Sequence, residues 1–305
     1  MTNYQNIVNL SDIEALWNNE MGFIYPIAAD VFKRGVYLYQ EKFVYGTYDE
    51  DKLVGFIIAK KKHDEILPSY AKKGWLSLFY VAKKYRQQGI GSKLLLAAED
   101  YLRDKDEILL GQDVGNFFPG LPSDFNNLTD LWLNKRGYLS GRTTHDLINY
   151  KPKLQQIQNT NYLFRVATKE DKEALLSLFA TFSERWFHEG YTYFQNDGNG
   201  DEYVVCCHNN KIIAFSRIND SLRPCGGYNM TWYERFEKLG GIGPLGVLSS
   251  YRKQGLGKDI VAFAINELIK RGKKVLIIDW TGLLEFYQQF GFEVWKTYKY
   301  MSKKA

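Results

Sequence analysis

The pattern of apolar and polar positions repeats in the two halves of this chain. Alternation of apolar and polar residues predicts a pair of strands at 42–48 and 52–59 in the first half, and a second pair at 202–208 and 211–217. A short polar turn separates the strands of each pair, which is typical of a β-hairpin. The pattern therefore predicts one hairpin in each half.

Helical periodicity follows each hairpin. Apolar residues at helical spacing predict helices over 89–103 and 255–271, and each of these helices leads into a short apolar strand, 108–110 or 275–278. The order of strand, helices, hairpin, strand, glycine turn, helix, strand, helix and strand thus occurs twice. It predicts an α/β fold in which each half is a mixed, mostly antiparallel sheet flanked by helices.

Capping-box patterns predict where the first helix of each half begins. They are Ser11-x-x-Glu14 in the first half and Thr168-x-x-Asp171 in the second. In such a box the side chains at the N-cap and three residues later each accept a backbone N–H of the first helical turn. We therefore expect Ser11 and Thr168 to be N-caps.

A polar segment, 151–161, separates the two halves. It contains Pro152 and shows little periodicity, which is typical of a linker. With 305 residues the chain is long enough for two domains with separate cores. We predict domains at 1–152 and 160–305, and we expect limited proteolysis to cut within the linker.

The composition is that of a globular protein. Hydrophobic residues make up 45% and charged residues 25% of the chain, which excludes a disordered or low-complexity class. The net charge of +5 is too small to indicate an extended nucleic-acid surface, so no nucleic-acid partner is expected. No segment approaches the roughly 18 consecutive apolar residues of a membrane span, and the N-terminus does not resemble a secretion signal.

The cysteines and histidines indicate a reducing, metal-free setting. Cys206, Cys207 and Cys225 are a poor disulfide framework for a chain of this length, so a cytoplasmic protein is expected. The four histidines show no zinc-binding spacing, and no metal site is expected. Cys206 and Cys207 fall in an apolar strand and are expected to be buried. The lysine run 60–62 is expected in a solvated turn.

One glycine motif lies in register in both halves. Tyr85-Arg86-Gln87-Gln88-Gly89-Ile90-Gly91 recurs as Tyr251-Arg252-Lys253-Gln254-Gly255-Leu256-Gly257, with five of the seven positions identical. A strand, this turn and a helix N-terminus together build an anion site, because glycine allows close backbone approach and the first helix N–H groups point outward. The duplication favours a ligand site over an ordinary turn.

Two familiar phosphate motifs are excluded by particular residues. A Walker A loop would require glycine where Arg252 stands and Ser or Thr where Asp259 stands. A dinucleotide-binding fingerprint would require a third glycine at Leu94 or Ile260. A different phosphate-bearing ligand is therefore expected.

The motifs resemble those of the GCN5-related N-acetyltransferase (GNAT) superfamily. The acetyl-CoA motif of that family has the form of Val81-x-x-x-x-Arg86-x-x-Gly89-x-Gly91 and Val247-x-x-x-x-Arg252-x-x-Gly255-x-Gly257. The second half adds Phe286-Tyr287-x-x-x-Gly291-Phe292, where the first half has Trp132-Leu133-x-x-x-Gly137-Tyr138. The resemblance covers both halves. It implies direct transfer of an acetyl group from acetyl-CoA to a primary amine on a small molecule or peptide.

The same resemblance implies which residues bind acetyl-CoA. In the family, the strand before the turn binds the pantetheine arm, and the turn cradles the pyrophosphate. The matching positions are Phe79, Tyr80, Val81, Arg86, Gln87, Gln88, Gly89, Ile90, Gly91 and Ser92 in the first half, and Leu245, Gly246, Val247, Arg252, Lys253, Gln254, Gly255, Leu256, Gly257 and Lys258 in the second.

Two residues of the second half are candidates for catalysis. Tyr287 matches the family position of the acid that protonates the departing thiolate, and a tyrosine with an ordinary pKa of ~10 is protonated at neutral pH. The alternative is that Tyr287 packs beside Phe286 and Phe290. Asp279 is the nearest candidate for the base, and the alternative for it is an ordinary strand-end or helix-capping carboxylate. Thr281 stands where the family commonly has an asparagine that faces the cofactor.

The first half departs from the family at its candidate active site. Leu133 replaces the tyrosine, and a longer loop, 111–122, follows the predicted strand 108–110. The first domain is therefore a candidate for binding acetyl-CoA without catalysis, and the second is expected to be catalytic. A non-enzymatic module that senses CoA thioesters or holds a partner is the alternative for the whole chain.

Aromatic residues cluster after the first helix of each half, at Trp17, Phe23 and Tyr25 and again from Trp186 to Phe194. In the family this segment borders the acceptor site. Such residues equally suit core packing, so both interpretations stay open.

Overall fold

The computed structural model of the chain describes residues 2–7, 9–37, 41–62, 66–125, 127–220 and 227–304. Cys225 lies outside these ranges. Contacts divide the chain into two compact units: Met1–Thr144 with Lys296–Ala305, and His145–Trp295. They are called the first unit and the second unit below.

The elements follow the order that the sequence predicts for each half. The first half contains strand β1 (Asn3–Asn6), helices α1 (Leu10–Met21) and α2 (Ala29–Tyr37), strands β2 (Glu41–Asp49), β3 (Lys52–Lys61) and β4 (Lys73–Val81), helix α3 (Ile90–Tyr101), strands β5 (Glu107–Leu110) and β6 (Leu121–Pro122), helix α4 (Asn127–Asn134) and strand β7 (Leu139–Asn149). The second half contains strand β8 (Leu163–Val166), helices α5 (Lys172–Ala180) and α6 (Glu184–Gln195), strands β9 (Tyr203–His208), β10 (Lys211–Asn219) and β11 (Leu239–Val247), helix α7 (Leu256–Lys270), strand β12 (Val275–Thr281), helix α8 (Leu284–Gln288) and strand β13 (Glu293–Lys304).

Both predicted hairpins are confirmed, and each unit has the expected mixed sheet. In the first unit, each strand from β1 to β4 pairs antiparallel with the next one along the chain, and β4 pairs parallel with β5. In the second unit, β8, β9, β10 and β11 pair antiparallel, and β11 pairs parallel with β12. The α/β architecture with two similar domains is therefore the one predicted.

The last strand of each half completes the sheet of the other unit. The end of β7 pairs antiparallel with β12, placing Asn149 opposite Leu276, and the end of β13 pairs antiparallel with β5, placing Ser302 opposite Leu109. The compact units therefore differ from the predicted ranges 1–152 and 160–305. Each of these strands is the last of its half, and its own residues do not show which sheet it joins.

The predicted N-cap is wrong for the first helix of the first half and confirmed for that of the second half. At α1 the N-cap is Asn9, whose side-chain oxygen accepts the N–H of Ser11 at 3.1 Å, so the prediction of Ser11 as N-cap is wrong. Asparagine is as favourable at an N-cap as serine, and two such residues stand close together here. The box of Thr168 and Asp171 is confirmed, with both reciprocal bonds present.

The cores hold the residues that the helical periodicity placed there. Leu94, Leu95, Ala98 and Leu102 of the first unit and Ile260, Val261, Ala264 and Leu268 of the second are all buried. Cys206 and Cys207 are buried as expected, and loss of hydration raises the pKa of Cys206 to about 12. Of the helices described, none is long and apolar enough to cross a membrane.

The segment 151–161 is not a free linker. It forms no helix or strand, yet it lies against α7 and is hydrogen-bonded to Asp259 and Asn266 of that helix. A polar composition suits both a solvated linker and a segment that pairs with buried polar side chains. Only the position of α7 decides between them.

Candidate functional site

The two glycine turns have nearly the same backbone. Gln87 and Lys253 both have φ of 62°, and Gly89 and Gly255 have φ of 81° and 84°. The left-handed region favours glycine, and at Gly89 an added Cβ would meet no described atom within 4 Å. The glycine is therefore needed for its conformation, and the space above the turn is open for a ligand.

An arginine ties each turn to the preceding strand. Arg86 donates through Nε to the carbonyl of Val81 at 2.9 Å, and Arg252 donates in the same way to the carbonyl of Val247 at 3.0 Å. The helix that follows begins directly after the first glycine of the turn, Gly89 or Gly255, which is its N-cap. Its first N–H groups have no partner within the helix and can bind an anion.

The strand before the turn parts from its neighbour. The parallel ladder of β11 and β12 ends at Ile242 opposite Ile278, while β11 continues to Val247. In the first unit the corresponding ladder ends at Leu76 opposite Leu110. Beyond these pairs, each strand presents peptide groups to the gap, where an extended ligand with amide groups can pair with them.

A cleft of about 360 Å³ opens in this part of the second unit. Five of its lining residues were predicted to bind acetyl-CoA: Leu245, Gly246, Val247, Arg252 and Gly257. The other walls are Phe182, Trp186, Leu283 and Phe286. The cleft is thus mostly apolar along its length and reaches the phosphate-competent turn at Arg252 and Gly257.

The remaining predicted residues of the second turn fall into two groups. Leu256 is buried in the core, so only its backbone faces the ligand side. Lys253, Gln254 and Lys258 are exposed, and Gln254 donates to the carbonyl of Ser250 at 3.3 Å. The two lysines place positive charge on the exposed side of the turn.

The first turn is built in the same way but has different surroundings. Ile90 is buried like Leu256, and Gln88 donates to the carbonyl of Lys84 at 3.3 Å. The Tyr80 hydroxyl donates to Glu20 at 3.2 Å, and the Arg86 guanidinium lies 5.1 Å from the Tyr80 ring. Gly91 completes the turn next to Phe79, whose ring would lie 3.4 Å from an added Cβ.

An arginine from the end of α4 reaches the first turn. Arg136 donates to the Ser92 hydroxyl at 2.7 Å and stacks at 3.9 Å over the Trp132 ring, which also packs against Phe79 at 5.9 Å. The position of Arg136 in the motif is held by Phe290 in the second half. The first unit therefore has an extra cation beside its helix N-terminus.

Asp279 lies where β11 and β12 part. It follows Ile278, the last residue of β12 that pairs with β11. Its Oδ1 lies 3.9 Å from the Cβ position of Gly243 on β11. Asn229 donates to the same oxygen at 3.1 Å. Loss of hydration, and after it the negative charges of Asp146 and Glu189, raise the pKa of Asp279 to about 7. A carboxyl with this pKa is suited to act as a general base near neutral pH.

A bulge in β12 positions this aspartate. The register with β7 shifts between Ile278 and Thr281, and Trp280 adopts a φ of 50°. Such a backbone is strained for a bulky residue, and strain of this kind concentrates at functional sites. The Trp280 N–H donates to Asp146 Oδ1 at 3.1 Å, so a residue of β7 holds the bulge.

Charged and aromatic side chains surround the bulge. Arg185 of α6 pairs with Glu189 at 2.8 Å, and its guanidinium lies 4.4 Å from the Trp280 ring and 4.7 Å from the Tyr228 ring. The Thr281 hydroxyl, a candidate cofactor contact, accepts the N–H of Leu283 at the start of α8. No sequence motif marks Asp146, Arg185, Glu189 or Asn229, so these residues of the site were not predicted.

Tyr287 is 4% exposed and packs against Phe286 and Phe292, with ring centroids at 4.9 and 6.3 Å. Loss of hydration and the charge of Asp279 both raise the pKa of Tyr287 above its usual range. The phenol therefore remains neutral and can donate a hydrogen bond throughout the physiological pH range. The structure brings the two predicted catalytic residues close enough to interact electrostatically.

The first unit has a different arrangement at the matching point. Asp113 accepts from the Ser77 hydroxyl at 2.8 Å, just beyond the last β4–β5 pair, and forms an ion pair of 2.5 Å with Lys60. Lys60 is 1% exposed, so the expectation of a solvated lysine turn is wrong. Burial lowers the pKa of Lys60. Long lysine stems are apolar, which lets β3 place this ammonium inside the unit.

The longer loop, 111–122, fills the space after β5. Phe117 and Phe118 are buried within it, and Leu133 is also buried in the core of the first unit. In the described part of the chain, no group of three or more His, Cys, Asp and Glu side chains is arranged to hold a metal ion.

Comparison with known proteins agrees with this geometry. The family described as "Acetyltransferase (GNAT) family" matches residues 10–117 and 172–292. N-alpha-acetyltransferase 30 of Schizosaccharomyces pombe is 28% identical over 93 residues, which is 30% of this chain and 59% of that protein. The chain thus spans less than two thirds of this relative.

Several solved structures share the fold. A region described as a GCN5-related glucosamine N-acetyltransferase, in a fungal multi-domain GH3 β-N-acetylglucosaminidase, aligns with a TM-score of 0.88 at 23% identity over 99% of this chain and 38% of that chain. A GCN5-related N-acetyltransferase of Sphaerobacter thermophilus aligns with a TM-score of 0.71 at 13% identity over 99% and 95%. A tandem GNAT protein from the clavulanic acid pathway gives 0.70 at 12% identity over 100% and 98%.

The two duplicated turns, the parting strands and the family match define a class of protein with two acyltransferase-type domains in one chain. The chain belongs to the GNAT family of acetyltransferases.

Proposed function

We propose that this chain is an acetyl-CoA-dependent N-acetyltransferase whose second unit is catalytic. One observation carries the proposal: in the second unit an apolar cleft is lined by the phosphate-competent turn and by the end of β11, and β11 parts from β12 at Asp279, a carboxyl whose pKa is raised to about 7. A ligand that combines a phosphate group, an extended amide arm and a reactive end suits this arrangement.

Acetyl-CoA would supply the acetyl group as a thioester. The backbone of the turn at Arg252 to Gly257 would bind the pyrophosphate, with the N-terminus of α7 behind it. The free edge of β11 from Leu245 to Val247 would pair with the amides of the pantetheine arm, and Phe286 would pack on its apolar part.

Asp279 and Tyr287 would then manage the protons. An amine reaches the site as an ammonium ion, and Asp279 accepts one proton so that the nitrogen lone pair can attack the thioester carbon. A C–N bond forms, and the nitrogen gives up its second proton to solvent. The C–S bond breaks, and the electron pair of the broken bond remains on sulfur. Tyr287 donates a hydrogen bond to that sulfur. Because its pKa is raised, the proton that finally neutralises the thiolate comes from solvent, and Asp279 returns its proton to solvent.

The acceptor in this proposal is a small, polar primary amine of the amino-sugar class. The carboxylates of Asp146 and Asp279 favour a cation, and the aromatic rings of Trp280 and Tyr228 lie close by, with the Arg185 guanidinium over each. The fungal structure with the same fold is described as a glucosamine N-acetyltransferase region, which supports this choice.

The first unit is proposed to bind acetyl-CoA without catalysis. Its turn has the same backbone, but Lys60 neutralises Asp113, and Leu133 has no hydroxyl. We propose a cytoplasmic setting, where free thiols such as those of Cys206 and Cys207 persist and acetyl-CoA is available.

Thiol release from acetyl-CoA tests the proposal. The full chain is assayed with glucosamine, galactosamine, a polyamine and a peptide with a free N-terminus, and the product is checked by mass spectrometry. We expect rapid release with an amino sugar and an acetylated product. Binding of CoA without release for any amine would instead support the alternative, a module that senses CoA thioesters.

A further inference from the structure

The segment 151–161 runs along α7 of the second unit and is fastened to it at two places. The first is a reciprocal pair: the Gln155 N–H donates to Asn266 Oδ1 at 2.8 Å, and Asn266 Nδ2 donates to the Gln155 carbonyl at 2.9 Å. A side-chain amide thus binds the backbone of this segment as a neighbouring strand would. The segment is ordered by named partners and is not a spacer.

The second fastening is a carboxylate in the first turn of α7. Asp259 is 2% exposed and accepts the N–H of Gln158 at 2.8 Å and the N–H of Asn159 at 3.1 Å. The side-chain nitrogen of Asn159 donates to it as well, at 2.5 Å. A buried carboxylate requires such donors, and all three come from segment 151–161.

The same asparagine contacts the glycine turn. Asn159 Nδ2 donates to the carbonyl of Gln254 at 3.2 Å and lies 3.1 Å from the Cβ position of Gly255. The hydroxyl of Tyr162 donates to Gln254 Oε1 at 3.1 Å. Asn159 of the segment and Tyr162 just after it therefore hold Gln254, the residue that precedes the glycine.

Among the residues of the first unit that the structure describes, none forms a counterpart of this brace. No described atom lies within 4 Å of the Cβ position of Gly89, and Lys93 stands in the motif position of Asp259. The brace therefore belongs to the turn of the unit that we propose to be catalytic.

Asp259 places a negative charge in the first turn of α7, where an anion would bind. A negative side chain in the first turn stabilises a helix, but it repels an anion that binds at the same N-terminus. The three donors from segment 151–161 disperse the charge of Asp259 and keep its oxygens occupied. Without them, a diphosphate at this turn would face an uncompensated carboxylate.

We infer that segment 151–161 is part of the coenzyme site of the second unit, with Asn159 as a positioning residue that holds the Gln254–Gly255 turn and masks Asp259 for binding of the CoA diphosphate. The inference rests on the proposed function only in taking CoA as the ligand of this turn. Asn159 acts through the turn, since both of its amide protons are already used.

Thermodynamic linkage gives a consequence that does not depend on catalysis. If docking of the segment favours CoA binding, CoA must favour docking by the same factor. CoA should therefore slow proteolysis within 151–161 in the full chain, while pantetheine, which lacks the diphosphate, should not.

The direct test replaces Asn159 by aspartate in the full chain. The shape is kept, but the donor becomes an acceptor facing Asp259 and the Gln254 carbonyl. We expect the KM for acetyl-CoA to rise by about tenfold or more while kcat stays within about twofold, because only binding is changed. CoA and 3′-dephospho-CoA should lose affinity alike in calorimetry, measured in a Gly89→Val background so that the second turn dominates the signal.

Two variants separate the proposal from a general loss of stability. Asn266→Ala breaks the first fastening on the same helix, away from the turn, and should lower the affinity for CoA much less than Asn159→Asp does. The double variant Asn159→Asp/Asp259→Asn restores a donor–acceptor pair and should regain most of the lost affinity.

The outcomes are distinguishable. Unchanged CoA affinity and KM in Asn159→Asp, or equal losses in Asn266→Ala, would overturn the inference. A chain that binds CoA and loses affinity as expected, yet acetylates no amine, would leave the inference standing and overturn the proposed function. A chain that binds no CoA would overturn both.

Discussion

At the scale of single residues, two aspartates at matching points have different electrostatic partners. Asp279 faces other carboxylates and one amide, so protonation relieves repulsion, and its pKa is raised to about 7. Asp113 faces the buried ammonium of Lys60 at 2.5 Å. An aspartate that shares its site with negative charge can exchange a proton near neutral pH, whereas Asp113 already has a cation as its partner.

The charge of Asp146 should set the pH dependence of the reaction. In Asp146→Asn a negative neighbour is removed, so the pKa of Asp279 should fall and the acidic limb of the kcat/KM profile should move below its wild-type position near pH 7. Rates between about pH 5 and pH 9 measure this shift. An acidic limb that stays in place would mean that Asp279 is not the base.

The control for that profile is Asp279→Asn, which should remove most of the activity. Its effect on stability has a definite sign. Because the folded pKa of Asp279 lies above the unfolded value, the stability linked to this group is present at low pH and is lost as the pH rises toward 7. Asp279→Asn should therefore raise the Tm at pH 8 relative to the wild type and have a smaller effect near pH 4.

Tyr287→Phe tests the role of the phenol. Removing the hydroxyl should lower kcat by roughly 10², the low end for acid catalysis, since a tyrosine with a raised pKa stabilises the sulfur mainly by a hydrogen bond. The KM for acetyl-CoA should barely change. Tyr138→Phe in the first unit is the matched control: its buried hydroxyl donates to Glu99 at 2.9 Å, and its loss should leave kcat unaltered. Equal effects of the two substitutions would assign Tyr287 to packing.

At the scale of elements, the glycine turn is the most local feature of the site. Gly255→Val forces a branched side chain into a φ of 84°, so the turn should distort and acetyl-CoA binding in the second unit should weaken. Gly89→Val imposes the same strain on the first turn and should leave kcat intact. Steady-state kinetics of both variants, with Tm as the check on folding, measure this. Loss of turnover in Gly89→Val alone would place catalysis in the first unit.

The exchanged strands change what isolated fragments are expected to do. Fragment 160–305 lacks residues 145–149, which pair with β12 and include Asp146, the residue that holds the Trp280 bulge. Its turnover should fall by about 10² or more relative to the full chain even if it folds, because the base is no longer positioned. Activity assays and circular dichroism of fragments 145–305 and 160–305 compare the two. Full activity in 160–305 would show that the strand is dispensable.

At the scale of the whole molecule, duplication has produced two similar units with different sites. Both keep the turn, the parting strands and the helix N-terminus. They differ in the polar residues where the two parallel strands part. These are Lys60 and Asp113 in the first unit, and Asp279 and Asn229 in the second. A duplicated chain can retain coenzyme binding in both units while the proton chemistry is confined to one.

Much of this was determined by the sequence alone, because it depends on neighbours along the chain. The hairpins, the helices after the turns and the GNAT architecture follow from local periodicity and from glycines at fixed spacing. The turn at Arg252 to Gly257 is equally local: a positive φ and a helix start require particular residues within a few positions.

Tertiary structure alone decided the features that depend on distant partners. The sequences of β7 and β13 do not show which sheet each strand joins, so only packing shows that Asp146 belongs beside Asp279. The run at Lys60 appears solvated until Asp113, far along the chain, meets its ammonium, and Asn159 appears to be linker until α7 places Asp259 against it. In each case the physical reason is the same: a polar side chain takes its character from the charge that folding brings next to it.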